Sequence, residues 1–396
     1  MSKEPRCIPP ELVSQIVSEL QDDTASFQSC AMVSREWLAL CRPHIFRSII
    51  LRNYMDFVEF QELAENSPIV QEYVQSLQVN IPFSTTTNHE LDFTWVNEML
   101  SPMLSELFKN LQELFITSTT EIWKDESFVH LSRCHTVKKL SILKSGMSLT
   151  ELCALISAFP ELEECIVEDI IVYYDPRRRL TSESCKSDLR LKRLRVNSFD
   201  FPFSGIGFPG PMETHGQILN FIPWLLTTGT RDTLQVLELR MTNGHISAVG
   251  DLLRAVGPTL QELEIICDGL GAIADPAFDD IIKIHLNLSC LVRLRKLSVH
   301  YGTFFLYDTL LSTIRSPSIR SIQIRTRMKD RNLATIGQHQ EIDQLLSNKF
   351  LKKHLTEVIF AYEAPLDHAL TTSFFEEGYP ELAKRGILKV VHTPLF

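Results

Sequence analysis

The chain has 396 residues, 44% of them hydrophobic, and a formal charge of −10 from 39 Lys plus Arg against 49 Asp plus Glu. Length suggests about two or three domains, and the acidic balance argues against nonspecific nucleic-acid binding, which needs cations to neutralise phosphates. The start MSKEPRCIPPEL has no apolar signal segment, the apolar stretch 218–226 falls short of a membrane span, and nine cysteines form no C-x-x-C pair; a reduced cytoplasmic or nuclear setting without membrane association is expected.

The first elements fall within residues 8–51. Pro9 and Pro10 suit a helix start, and Leu12, Val13, Ile16, Val17 and Leu20 recur at helical spacing. Asp22 and Asp23 are placed to end that helix and cap a second carrying Phe27, Cys30, Ala31 and Val33. Ser34 can cap a third with Trp37, Leu38 and Leu40, which Pro43 is expected to end. The following IFRSIIL reads as extended. A three-helix unit of about 40 residues is near the lower limit for independent stability, so it either caps the next domain or presents a face to a partner.

The order Ile8-Pro9-Pro10-Glu11-Leu12, Ile16, Leu20, Cys30-x-x-Val33-Ser34-Arg35-x-Trp37-x-x-Leu40 and Pro43-x-Ile45-Phe46-Arg47 resembles an F-box. The closing RPHIFRSIIL is most like F-box proteins of mushroom-forming fungi. Ile8 replaces the commoner leucine and Ser34 a frequent cysteine. The resemblance implies a three-helix motif over residues 5–51 that docks on the Skp-type adaptor of a cullin–RING ubiquitin ligase. It implies an adaptor contact at Ile8, Pro9 and Leu12, with Ile16, Val33 and Trp37 building or extending it.

Residues 52–72, with Phe57, Phe60, Leu63 and Ala64 at helical spacing, predict a connecting helix. Residues 73–396 then repeat one phrase, apolar-x-x-apolar-x-apolar. Copies start at 111, 137, 162, 191, 234, 260, 294, 319 and 355, with an earlier one at 74. Helical patterns lie between them, as at 148–159 and 244–257. Strand–helix units too small to bury their apolar side alone can stack into one core. The expected fold is α/β: a three-helix front followed by an irregular leucine-rich-repeat solenoid with a curved parallel sheet. The phrases lack the Asn or Cys usual at the next position, which is why irregularity is expected. The rival is an ordinary α/β sheet with recurring strands. The Gly- and Pro-rich stretch 197–216 reads as a loop insertion.

Other motifs carry little chemistry. Gly205-x-Gly207-x-x-Gly210 follows no clean strand and is interrupted by Pro209 and Pro211, so it reads as loop rather than a phosphate cradle. His130, Cys134 and His135 lack a fourth ligand. Arg177-Arg178-Arg179 reads as a solvated loop or as a grip on an acidic partner. No cofactor, metal or catalytic residue is expected.

Strand side chains alternate between faces. The residue between the last two apolar positions of each phrase should therefore face outward: Phe115, Ser141, Ile166, Arg195, Glu238, Glu264, Ser298, Gln323 and Ile359. Just beyond lie Asn197, Arg240, His300 and Arg325. Arg195, Arg240, His300 and Arg325 are the expected contacts to a protein target. The expected function is a non-catalytic substrate receptor of an SCF-type ubiquitin ligase. The alternatives are a scaffold whose front segment caps the solenoid and an enzyme on an α/β sheet.

Overall fold

The computed structural model describes residues 8–20, 23–80, 94–117, 123–173, 188–197, 217–241, 245–267, 276–300, 304–327, 336–363 and 368–392. The chain divides into two compact units, Met1–Met147 with Ala154–Leu162 and Ser148–Cys153 with Glu163–Phe396.

The first unit opens with three helices, α1 (Pro10–Glu19), α2 (Thr24–Ala31) and α3 (Arg35–Ile45). Pro10 stands at the first position of α1, where a missing N–H costs nothing. The Asp23 carboxylate accepts from Ser26 N at 3.1 Å, and Ser34 Oγ accepts from Trp37 N at 3.3 Å, so both later helices carry side-chain caps. Val13 and Val17, one turn apart, pack with Phe27 and Cys41 into a small core. Leu20, Cys30, Ala31, Trp37, Leu40 and Ile45 surround it, partly buried.

Pro43 does not end α3, contrary to the expectation from sequence; it lies inside the last turn. A proline this close to the C-terminal end removes only one intrahelical bond. Phe46 N still reaches Arg42 O at 3.0 Å, and Ile45 is held against the core.

Strand β1 (Ser48–Leu51) follows, then helices α4 (Tyr54–Asn66) and α5 (Ile69–Tyr73). Asn53 caps α4 through Asp56 N at 3.0 Å, and Phe57, Phe60 and Ala64 are buried. Strands β2 (Ser76–Asn80), β3 (Glu113–Thr117) and β4 (Lys139–Leu143) join β1 in parallel and in chain order. A short strand β5 (Gly146–Ser148) precedes the helix Leu149–Ser157.

The second unit holds β6 (Glu164–Glu168), the short β7 (Ile171–Tyr173), β8 (Arg193–Asn197), β9 (Val236–Met241) and β10 (Glu262–Cys267). It continues with β11 (Lys296–His300), β12 (Ser321–Arg327), β13 (Glu357–Glu363) and β14 (Leu388–His392). Apart from β7, these strands pair in chain order and all in parallel. A doubly wound sheet would reverse direction at a switch point; within each unit none occurs among the described strands.

Every phrase singled out in the sequence forms one of these strands, and two strands fall outside the phrase list. In β1 the pattern is present as Phe46-x-x-Ile49-x-Leu51. In β14 the pairing of Val358 with Leu388 puts Arg385 where the first apolar residue would stand, so the phrase is lost.

The phrases are tied together by backbone. The carbonyl of the second phrase residue accepts two consecutive N–H groups of the next phrase. Arg47 O takes Gln75 N and Ser76 N, both at 2.9 Å; Gln75 O takes Gln112 N and Glu113 N at 2.8 and 3.0 Å. The same bonds join Gln235 to Gln261 and Glu262, and Arg295 to Arg320 and Ser321. Hydroxyls add to this ladder: Thr233 Oγ1 donates to Leu191 O at 2.9 Å, and Thr259 Oγ1 to Leu234 O at 2.8 Å. Main-chain groups at the repeat joints are thereby satisfied without an asparagine.

Helices fill the space between strands. The closest approach is at Gly250 in the helix Ile246–Val256, where a Cβ would lie 2.3 Å from His285 O.

Candidate interaction surfaces

The front three helices cover only one side of their apolar residues. Leu12 and Ile16, one turn apart on α1, are half exposed at 50% and 42%, and Ile8 just before the helix is alike at 51%. Pro9 is exposed at the helix cap. Val33 is exposed in the turn into α3, and its neighbour Met32 is 87% exposed. Trp37 is half-buried and packs against the small core, so it supports the fold as well as reaching the surface. Met32 was missed from sequence. Its signal was an apolar doublet in a turn, a place usually held by Gly, Pro, Asn, Asp or Ser.

On the second unit, the side chains opposite the core line up in cross-strand rows. One row runs Ile166, Arg195, Glu238, Glu264, Ser298, Gln323, Ile359 and Lys389. A second runs Arg240, Ile266, His300, Arg325 and Ala361. Arg195 is bound on two sides: its Nη1 lies 3.3 Å from Glu168 Oε1, and its Nε donates to Glu238 Oε2. Asn197 Nδ2 donates to the same Glu168 oxygen at 3.2 Å. Burial works to lower the Arg195 pKa, but the hydrogen bond to Glu238 and the nearby carboxylate charges outweigh it and raise it. Burial, and then the charge of Glu238, push the Glu264 carboxyl up; Arg195, Lys296 and Arg325 offset this only in part.

The rows bring Arg240, His300 and Arg325 to one level, and Arg195 to the level before it. Exposure differs from the expectation in one respect. His300 is buried at 6%, and Ser298 is buried too. A serine is short beside its cross-strand neighbours, and the imidazole folds down over it, with Nε2 2.8 Å from Ser298 Oγ and 3.7 Å from Glu264 Oε1. His300 therefore organises this face from below rather than facing a partner. Arg195, Arg240 and Arg325 are half-buried. Glu168 holds the same phrase position as Asn197, Arg240 and His300, and that spacing could have identified it.

Ser298, His300 and Glu264 are the residue types of a hydrolytic triad, but serine and carboxylate address the same ring nitrogen. A relay needs them on opposite nitrogens. In the first unit, Ser141 is likewise buried, and Lys139 Nζ lies 5.8 Å from the centre of the half-buried Phe115 ring. Cys134 is buried, and burial pushes its thiol up to about 12, which opposes the thiolate a metal would require. Among the described residues no group of three or more His, Cys, Asp or Glu is placed to hold a metal ion. Among them, too, no helix is long and apolar enough to cross a membrane. Residues 177–179 and the glycines at 205, 207 and 210 lie outside the described residues, as does the stretch 198–216.

No family model and no curated protein matches the chain. Among solved structures it is similar to a chain in the crystal structure of a TLR13–ssRNA13 complex, at 12% identity with a TM-score of 0.33. The match covers 74% of this chain and 35% of that one, about a third of its length.

Proposed function

We propose that the chain is the substrate-recognition subunit of an SCF-type ubiquitin ligase. Its front three helices act as an F-box on a Skp-type adaptor, and its leucine-rich-repeat-like strand rows hold a protein target. The observation that carries this reading is the division of labour within α1. Val13 and Val17 are spent on the core, while Ile8, Leu12 and Ile16 are left in water on the other side. Covering such side chains contributes roughly 1.5–3 kcal/mol each, so a docked apolar partner has a clear driving force. Pro9 and Leu12 match the adaptor contact implied by the F-box resemblance. The receptor itself makes and breaks no bonds. It acts by proximity, raising the effective concentration of a target lysine near the charged ubiquitin carrier.

The target surface in this reading is the strand face around Arg195, Arg240 and Arg325, with His300 supporting it. Co-purification with a Skp-type adaptor tests the proposal. Pro9→Ala with Leu12→Ala should abolish adaptor binding while circular dichroism stays unchanged; unchanged affinity in the folded double variant would sink it.

A second reading, a scaffold whose front helices merely cap the repeats, draws on the Arg47 carbonyl. It is the first rung of the ladder, joined directly to β2. On that reading the chain purifies without adaptor.

A further inference from the structure

An open cleft of about 360 Å³ lies in the first unit, where α2 and α3 meet the starts of β1, β2 and β3. Its backbone is already satisfied, since Arg47 O and Gln75 O accept the N–H groups of the next phrases. Its side chains are not. Arg47, Ser48, Gln75, Gln112 and Glu113 make no side-chain hydrogen bond or ion pair among the described residues. His44 adds a ring edge at the same wall, stacked on Phe27 at 4.6 Å between centroids.

Charge differs between the ends. Arg47 and His44 stand at the β1 side. Glu113 stands on β3, with Ser48, Ser76 and Glu113 in register, so two strand spacings, about 10 Å, separate the ends. Arg47, Ser48 and Gln112 are exposed, which makes the cleft a trough that a chain can cross rather than an enclosed chamber. Guanidinium is suited to bidentate contact with an oxyanion, and Glu113 is suited to a cation. An extended chain covers about 10 Å in three residues.

We infer that this cleft binds an extended peptide segment with an oxyanionic side chain seated on Arg47 and a cationic side chain three residues further on, seated on Glu113. The inference is independent of what docks on α1. Carboxylate and phosphate share the chemistry that Arg47 reads.

The test is calorimetric titration of the full chain with acetyl-Asp-Gly-Gly-Lys-amide, its phosphoserine counterpart, and the reversed acetyl-Lys-Gly-Gly-Asp-amide. One or both of the first two should bind, and the tighter names the oxyanion. The reversed peptide should bind at least tenfold more weakly. Arg47→Ala should weaken binding at least tenfold, and Glu113→Gln should weaken it from the other end. Arg47→Glu with Glu113→Arg should reverse the preference between the two polarities. Absence of binding by both forward peptides, equal binding of both polarities, or affinity untouched by both Arg47→Ala and Glu113→Gln would overturn the inference.

Discussion

The front helices and the strand rows of the second unit treat their side chains in opposite ways. Four residues carry the buried core of the helices, and several large apolar side chains remain in water. In the strand rows the apolar positions are buried to completion, and the surface is polar, with charges such as Arg195 and Glu238 bound to one another. The contrast follows from size. About 40 residues cannot enclose their own apolar surface, whereas each repeat has neighbours that complete its core. Apolar contact is thus concentrated at the front and ionic contact along the rows.

The sharpest way to break this comparison is to weaken each core in turn. Phe27→Ala empties the middle of the small helical core and should cost about 4 kcal/mol. That is enough to melt the helices while the repeats stay folded, as hydrogen exchange would show segment by segment. Gly250→Ala attacks the repeats instead. Its methyl group would meet a backbone carbonyl rather than a yielding side chain, so about 3 kcal/mol is expected in denaturant unfolding. Equal melting of both segments by either substitution would remove the distinction between them.

A comparable effect should come from pH. Burial pushes His339 down to about 4 from its ordinary 6.5, and its Nδ1 lies 2.8 Å from the Tyr379 hydroxyl. The unfolded chain takes up this proton first as pH falls. The stability that neutral His339 provides is therefore full above about 6.5, declines as pH drops, and is gone by about 4. The difference is roughly 3 kcal/mol. His339→Gln should flatten that part of the stability profile, measured as the difference between the two proteins.

Smaller effects should sharpen the comparison at the rows. Arg195→Ala releases two carboxylates and should cost about 1 kcal/mol, since the guanidinium is partly solvated; high salt should shrink the loss. Thr259→Val removes one hydroxyl from a repeat joint and should cost about 1 kcal/mol in thermal unfolding. A loss of several kcal/mol at Arg195 would mean the rows depend on charge as strongly as the helices depend on apolar contact.

Local signals in the sequence were reliable where the physics is local. The phrase pattern located its strands because alternation is a property of a few consecutive residues, and Ser34 could be read as a cap because its partner is three residues on. Pro43 misled because its effect depends on how many helical bonds follow it. The burial of His300 was not legible. It is set by Ser298, by Glu264 on the adjacent strand and by the packing of whole rows. The same holds for Arg195, whose partners Glu168 and Glu238 sit on strands to either side. The apolar residues of α1 were visible as a set, but their division into buried Val13 and Val17 and exposed Leu12 and Ile16 required the packing of the other two helices.

The two-pronged carbonyl bonds at the phrase starts have a consequence for how such a chain can grow. They fix where each strand begins relative to its predecessor and leave undetermined how much chain is used on the way. Starts as close as 319 after 294 and as distant as 234 after 191 end in the same joint. Mutation can therefore lengthen or shorten the return path without shifting strand register. Variation in length accumulates away from the strand starts, and new surface can be added to an old frame one return path at a time.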